Sequence, residues 1–242
     1  MKNEITFKVM GRYALFTDPL TKIGGEKSTL MIPTYQALKG VCESIYWKPS
    51  IIWYVDKVCI NNPIRTEKKG IRPIAYSGGN DLAYYSYLKD VEYIVQAHFE
   101  FNYNRKDLQQ DFNENKHYQI AKRSVEKGGR RDIFLGVREC QAYVESSEFT
   151  NENSYYNRNE EYYMEFGFQY HSISYPDENG EGEMKVKFWN PVMKNGVIEF
   201  IKPNDCPKER VIKKMQMKTF HDKNLKGVDE ELFEGITGGG NS

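Results

Sequence analysis

Between Val91 and Tyr103 the side chains alternate with a period of two. Val91, Tyr93, Val95, Ala97, Phe99 and Phe101 fall on one side, and Glu92, Gln96, His98 and Glu100 on the other. Only an extended strand separates those two sets. A strand with one apolar face needs neighbours along its edges and a layer over that face. The chain offers both. Residues 3–17 read as a long first strand, with Ile5, Phe7 and Val9 on one face and Thr6, Lys8 and Met10 on the other. Residues 51–61 and 133–144 read as two more strands, rich in β-branched and aromatic residues. A helix is predicted from about 34 to 47, N-capped by Thr34, with Tyr35, Leu38, Cys42 and Ile45 on one face and Pro49 as its stop. A second, from about Asn113 to Lys127, ends at Gly128-Gly129.

The order strand, helix, strand, strand, helix, strand predicts an α+β fold. Its N-terminal domain is expected to be ferredoxin-like (RRM-like): an antiparallel sheet covered on one face by two helices, the open face being a common RNA platform. The basic run Arg65-Thr66-Glu67-Lys68-Lys69-Gly70-Ile71-Arg72 is expected to form the tip of a projecting hairpin or loop. Beyond the polar segment 146–159, Tyr162, Met164, Phe166, Phe168 and Tyr170 restart the alternation. A hairpin is predicted to turn at Glu178-Asn179-Gly180 and return through Met184, Val186 and Phe188. The expected division is a ferredoxin-like domain over 1–145, a small C-terminal antiparallel β-sheet domain over 146–237 and a disordered tail over 238–242.

Net charge is zero, which taken alone argues against a polyanion partner. The distribution reverses that inference. Lys116, Lys122, Arg123, Lys127, Arg130 and Arg131 stand against Glu126 alone, whereas ten carboxylates between Glu145 and Glu183 stand against Arg158 alone. A basic face therefore coexists with overall neutrality. No apolar run approaches the roughly 20 residues that span a bilayer, and the start has no signal-peptide core, so a cytoplasmic protein without membrane contact is expected. Cys42, Cys59, Cys140 and Cys206 are too scattered for a zinc site and read as reduced packing residues.

The segment Gly24–Pro49, GGEKSTLMIPTYQALKGVCESIYWKP, combines a glycine turn, a helix and an aromatic end at Tyr46-Trp47. Together with GRYALFTDP upstream and Lys116-His117 downstream, it resembles the Cas-five family of CRISPR-associated proteins, in particular the Dvulg type of subtype I-C. The motifs are specific in the N-terminal half, and the similarity thins after about Tyr143. The resemblance implies an endoribonuclease that cuts precursor CRISPR RNA at the base of the repeat hairpin and retains the mature guide RNA as a subunit of an interference complex. Most other branches of that family are scaffold subunits without this activity. Three other functions stay open at the level of sequence: a non-catalytic cap on a guide RNA, a metal-dependent nuclease acting on DNA, and a housekeeping RRM-like RNA binder.

Cutting RNA without a metal or cofactor requires a base for the 2′-OH, a cation for the charged phosphorane and an acid for the leaving oxygen. Lys116 and His117, near the start of the second helix, supply two of these. Tyr46, at the end of the first, supplies the third. In a ferredoxin-like fold these two helix ends lie close together, and the resemblance points to the same three residues as the catalytic group. His117 is the better candidate for base and Tyr46 for acid or positioning hydrogen bond. Arg123, Lys127, Arg130, Arg131, Arg65, Lys68 and Lys69 suit phosphate contacts. His98 reads as solvated, and His171 and His221 as structural. Asp107, Asp111 and Glu114 read as helix-initiating carboxylates rather than metal ligands.

Overall fold

The computed structural model describes residues 3–74, 78–79, 81–158 and 161–217. Its elements in chain order are β1 (Glu4–Ala14), α1 (Pro19–Lys22), α2 (Tyr35–Ile45), β2 (Ile51–Ile60), β3 (Thr66–Ile71) and β4 (Ala83–Phe101). A 3-10 segment (Lys106–Asp111) leads to α3 (Glu114–Glu126), β5 (Ile133–Phe134) and β6 (Gln141–Ser146). There follow β7 (Tyr163–Glu165), β8 (Gln169–Ser174), α4 (Pro176–Asn179), β9 (Glu183–Trp189), β10 (Val192–Lys194), β11 (Val197–Glu199) and β12 (Lys208–Lys214). The fold is α+β and dominated by antiparallel sheet.

Strand β4 organises the molecule. On one edge it pairs with β1 from Glu4↔His98 to Ala14↔Leu88. On the other it pairs first with β3 and then with β2, as far as Ile51↔Phe101. Between those two partners Asp90 adopts φ +50°, and its carbonyl accepts from the Asn62 amide at 2.7 Å, bridging the change of neighbour. The apolar set Val91, Tyr93, Val95, Ala97 and Phe99 is buried with Ile5, Phe7 and Val9 of β1. Helices α2 and α3 close this core, α2 against β2 and α3 against β1 and β6. Thr34 caps α2 by accepting from the Ala37 N–H, and all four of its predicted apolar positions are buried.

Several boundaries differ from the sequence reading. The run from Arg65 to Arg72 is not the tip of a hairpin. Thr66–Ile71 is a paired arm, and β4 extends eight residues upstream of Val91 to meet it. The strand expected over 133–144 divides into β5 and β6, separated by a turn in which Leu135 N–H donates to the Cys140 carbonyl. The alternation from Tyr162 to Tyr170 breaks at Gly167, φ +73°, so that β7 and β8 enter different sheets. The turn at 178–180 is the short helix α4, closed by left-handed Gly180.

A small antiparallel sheet does form, in the order β12-β9-β8. The main sheet, however, crosses the division expected at residue 145. Its order is β5-β6-β1-β4-β2-β11-β10-β7, because β11 pairs with β2 through Val197↔Cys59 and Glu199↔Lys57. A bulge in β2 between Val55 and Lys57, opposite β4, aims Asp56 at His98, 2.8 Å away. The expected disordered tail and His221 lie outside the described residues, among which no helix is long and apolar enough to cross a membrane.

Two histidines shape stability against pH in opposite senses. His171 is buried between Tyr35 and Trp189, and loss of solvation pushes its pKa down to about 4. The unfolded chain then binds the extra proton, so stability falls as pH drops from about 6.5 toward about 4, by about 3 kcal/mol. His98 is raised, first by its hydrogen bond to Asp56 and against partial burial. Its contribution is complete below about pH 6.5 and is lost as pH rises through the folded value. Denaturant unfolding should therefore be most stable near pH 6.5. His171→Gln should flatten the acid side of that profile and His98→Gln the alkaline side.

Candidate active site

The C-terminal end of α2 and the first turn of α3 meet over Phe99 and Phe101 of β4. Tyr46 follows α2 in an extended conformation, φ −157°, and its backbone carbonyl accepts from the Trp53 indole at 2.7 Å. That bond turns the ring toward α3. There Asn113 caps the helix by accepting from the Lys116 N–H, which places His117 one turn in and facing the core. Tyr46 Oη and His117 Nδ1 are 2.8 Å apart, and both residues have 0% exposure.

The tautomer follows from the partners. His117 Nε2 lies 2.8 Å from the Asp111 backbone carbonyl, which can only accept, so Nε2 carries the proton and donates. Nδ1 is then the acceptor for the Tyr46 hydroxyl in the neutral ring. The Asp111 carboxylate closes the array. It accepts from Ser50 Oγ at 2.5 Å, ion-pairs with Lys116 Nζ and stands 3.5 Å from His117 Nε2. Burial alone would raise the Asp111 carboxyl, yet Lys116, Ser50 and His117 hold it below the usual carboxylate range. Burial raises the Tyr46 phenol, the Asp111 charge adds to that, and Arg130 opposes it.

Of the predicted site residues, Tyr46 and His117 are brought into direct contact. Lys116 leaves α3 about 100° round from His117, yet its Nζ meets the Asp111 carboxylate that stands 3.5 Å from His117 Nε2. Its side chain is 46% exposed and lines a shallow depression with Lys48, Pro49, Gln110 and Asp111. Asp111, read from sequence as a helix-initiating carboxylate, is instead the junction of the array. Its spacing before Lys116-His117 was the available signal.

Arg123, Lys127, Arg130 and Arg131 are all exposed along α3 and the turn after it. The Arg130 guanidinium lies 5.5 Å above the Tyr46 ring, the exposed part of the cover over that ring. The backbone N–H groups of Arg130 and Arg131 both donate to the Ser44 carbonyl of α2. Arg65 and Lys68 are exposed at and beside the β3 arm. Lys69 is engaged, 3.2 Å from the Tyr13 ring centroid. On the open face His98 is stacked on Tyr54 and held between Asp56 and Glu100.

A family model described as CRISPR-associated protein (Cas_Cas5) matches residues 4–201. The chain belongs to the Cas5d family. Among its relatives is a protein of Mannheimia succiniciproducens named CRISPR pre-crRNA endoribonuclease Cas5d, 26% identical over 82% of this chain and 95% of that one. A Thermus thermophilus protein of the same name is 29% identical over 56% of this chain and 61% of its own. Two crystal structures share the fold at a TM-score of 0.71. One is described as a CRISPR-associated protein, 37% identical, and the other as a functionally uncharacterized protein of Streptococcus mutans, 39% identical. Each covers 86% of this chain and is itself 97% covered.

The turn that carries Arg130 to Tyr46 depends on Gly129, at φ +104°. A Cβ there would meet the Ile133 side chain at 3.2 Å and the Arg131 carbonyl at 3.3 Å. Gly129→Ala should therefore cost about 1–3 kcal/mol in denaturant unfolding.

Proposed function

We propose that this Cas5d protein is an endoribonuclease that cuts precursor CRISPR RNA at the base of the repeat hairpin without a metal ion and keeps the mature guide RNA as part of an interference complex. Support for RNA cleavage comes from the two relatives named as pre-crRNA endoribonucleases. The observation that carries the chemistry is the hydrogen-bonded series from Tyr46 through His117 to Asp111, with Lys116 at the surface beside it.

In this mechanism the neutral Nδ1 of His117 is the proton acceptor, but it reaches RNA only through Tyr46. The 2′-OH gives its proton to Tyr46 Oη as Tyr46 passes its own to His117. A phenol whose pKa is raised stays protonated at neutral pH and can relay in this way. The imidazolium that forms is stabilised by the Asp111 carbonyl and carboxylate. Lys116 offsets charge on the phosphorane and gives a proton to the leaving 5′ oxygen as the P–O5′ bond breaks, so that one product ends in a 2′,3′-cyclic phosphate and the other in a 5′-hydroxyl. Tyr46 and His117 are fully covered, so RNA must first draw aside their cover. Arg130, stacked above Tyr46, is placed to follow a phosphate and uncover the phenol. Arg123, Lys127 and Arg131 extend the same basic surface, with Arg65 and Lys68 as a second patch.

The strand order β6-β1-β4-β2 with α2 and α3 supports reading this unit as ferredoxin-like. We read the acidic stretch from Glu145 to Glu183 as a contact surface for other subunits. Within it Tyr155 and Tyr163 are exposed, whereas Tyr156 is buried and its hydroxyl accepts from the Ile64 N–H.

The test is incubation of the purified protein with its host's repeat RNA in EDTA, followed by mapping of the ends. Wild type should give one cut at the stem base and keep the product bound. Tyr46→Phe, His117→Ala and Lys116→Ala should each slow cleavage by roughly 10²-fold with little change in affinity. Wild-type rates in all three variants would overturn the assignment.

A further inference from the structure

Asp111 lies outside α3, and Asn113 already caps that helix. The Asp111 carboxylate ties the start of α3 to Ser50, 61 positions away. One oxygen meets Lys116 Nζ on α3, and the other meets Ser50 Oγ on the loop between α2 and β2. The same residue's carbonyl accepts from both the Asn113 N–H, at 2.8 Å, and His117 Nε2. Ser50 is itself fully buried, and its carbonyl accepts from the Asn102 N–H just beyond β4. The carboxylate thus pins the very carbonyl that selects the His117 tautomer.

We propose that Asp111 is a positioning residue of this site: its carboxylate, clamped between Ser50 and Lys116, fixes the carbonyl that keeps the His117 proton on Nε2 and holds Lys116 at the mouth. The inference rests on Tyr46, His117 and Lys116 being the reacting groups. The opposite tautomer would turn an N–H toward the Tyr46 hydroxyl and remove the acceptor that a proton relay through Tyr46 requires. Asp111 acts through His117 and Lys116 and does not touch the RNA. An amide in its place keeps the shape and removes the charge that ties the three segments together.

Two measurements on the full chain decide this. The first is long-range 1H–15N NMR of the imidazoles, in which the His117 signals are assigned by their loss in His117→Ala among only four histidines. Wild type should show the Nε2–H tautomer at His117, and Asp111→Asn a mixture of both. The second is single-turnover cleavage of the repeat hairpin. Asp111→Asn should slow it roughly 10-fold or more with less than about 2-fold change in Kd, and should add little to the double variant His117→Ala/Lys116→Ala. Ser50→Ala, which removes one contact to the carboxylate, should shift the tautomer in the same direction and serves if Asp111→Asn does not fold. An unchanged tautomer in Asp111→Asn would overturn the proposal. So would equal slowing by Asp111→Asn in wild type and in His117→Ala/Lys116→Ala, since that marks a general structural role. If wild-type protein binds the hairpin but never cuts it, the endoribonuclease reading fails, while the tautomer measurement still decides the role of Asp111.

Discussion

The pairing of β4 along both edges is the constraint from which the rest of this molecule follows. A 19-residue strand with one apolar face cannot exist alone, and here β1 holds one side while β3 and β2 share the other. Its buried face is the floor on which α2 and α3 rest. The end of that floor, Phe99 and Phe101, is where the two helices present Tyr46 and His117 to each other. Strand register, rather than any local motif, thus brings together two residues 71 positions apart.

Once buried, that pair must be satisfied internally. A neutral hydrogen bond of this kind contributes on the order of 1 kcal/mol, but either partner left alone costs about 1–3 kcal/mol. The Tyr46 hydroxyl, both His117 nitrogens and both Asp111 carboxylate oxygens all have partners. The same connectivity that satisfies burial fixes the direction of the hydrogen bond, with Tyr46 donating to His117. Lys116 and His117, adjacent in sequence, point about 100° apart on α3 and meet the same Asp111 carboxylate, one at the surface and one in the core.

What was legible in the sequence was the part governed by short-range periodicity. The alternation of β1 and β4, the Thr34 cap, the apolar face of α2 and the glycine stop after α3 all have local causes, and each is where the pattern put it. Partner choice was not legible. Nothing near Thr66–Ile71 says that the upstream end of β4 will pair with it, and nothing near Val197 points to Cys59. Gly167 was read as one position of an alternating strand, although its left-handed backbone sends β7 and β8 to different sheets. At the site, residue types together with the resemblance to the Cas-five family nominated Tyr46, Lys116 and His117. Their burial, the tautomer of His117 and the junction at Asp111 depend on tertiary contacts that spacing does not encode.

In the mechanism proposed for this site the attacking group is the RNA's own 2′-OH, activated through Tyr46 and His117. The most direct measurement is cleavage of a repeat hairpin carrying a single 2′-deoxy nucleotide immediately upstream of the scissile phosphate, in EDTA, beside the all-ribose hairpin. The all-ribose RNA should be cut, and the 2′-deoxy substrate should bind nearly as tightly but stay intact. Efficient cutting of the 2′-deoxy hairpin, or cutting of the all-ribose RNA only when Mg²⁺ is supplied, would contradict it.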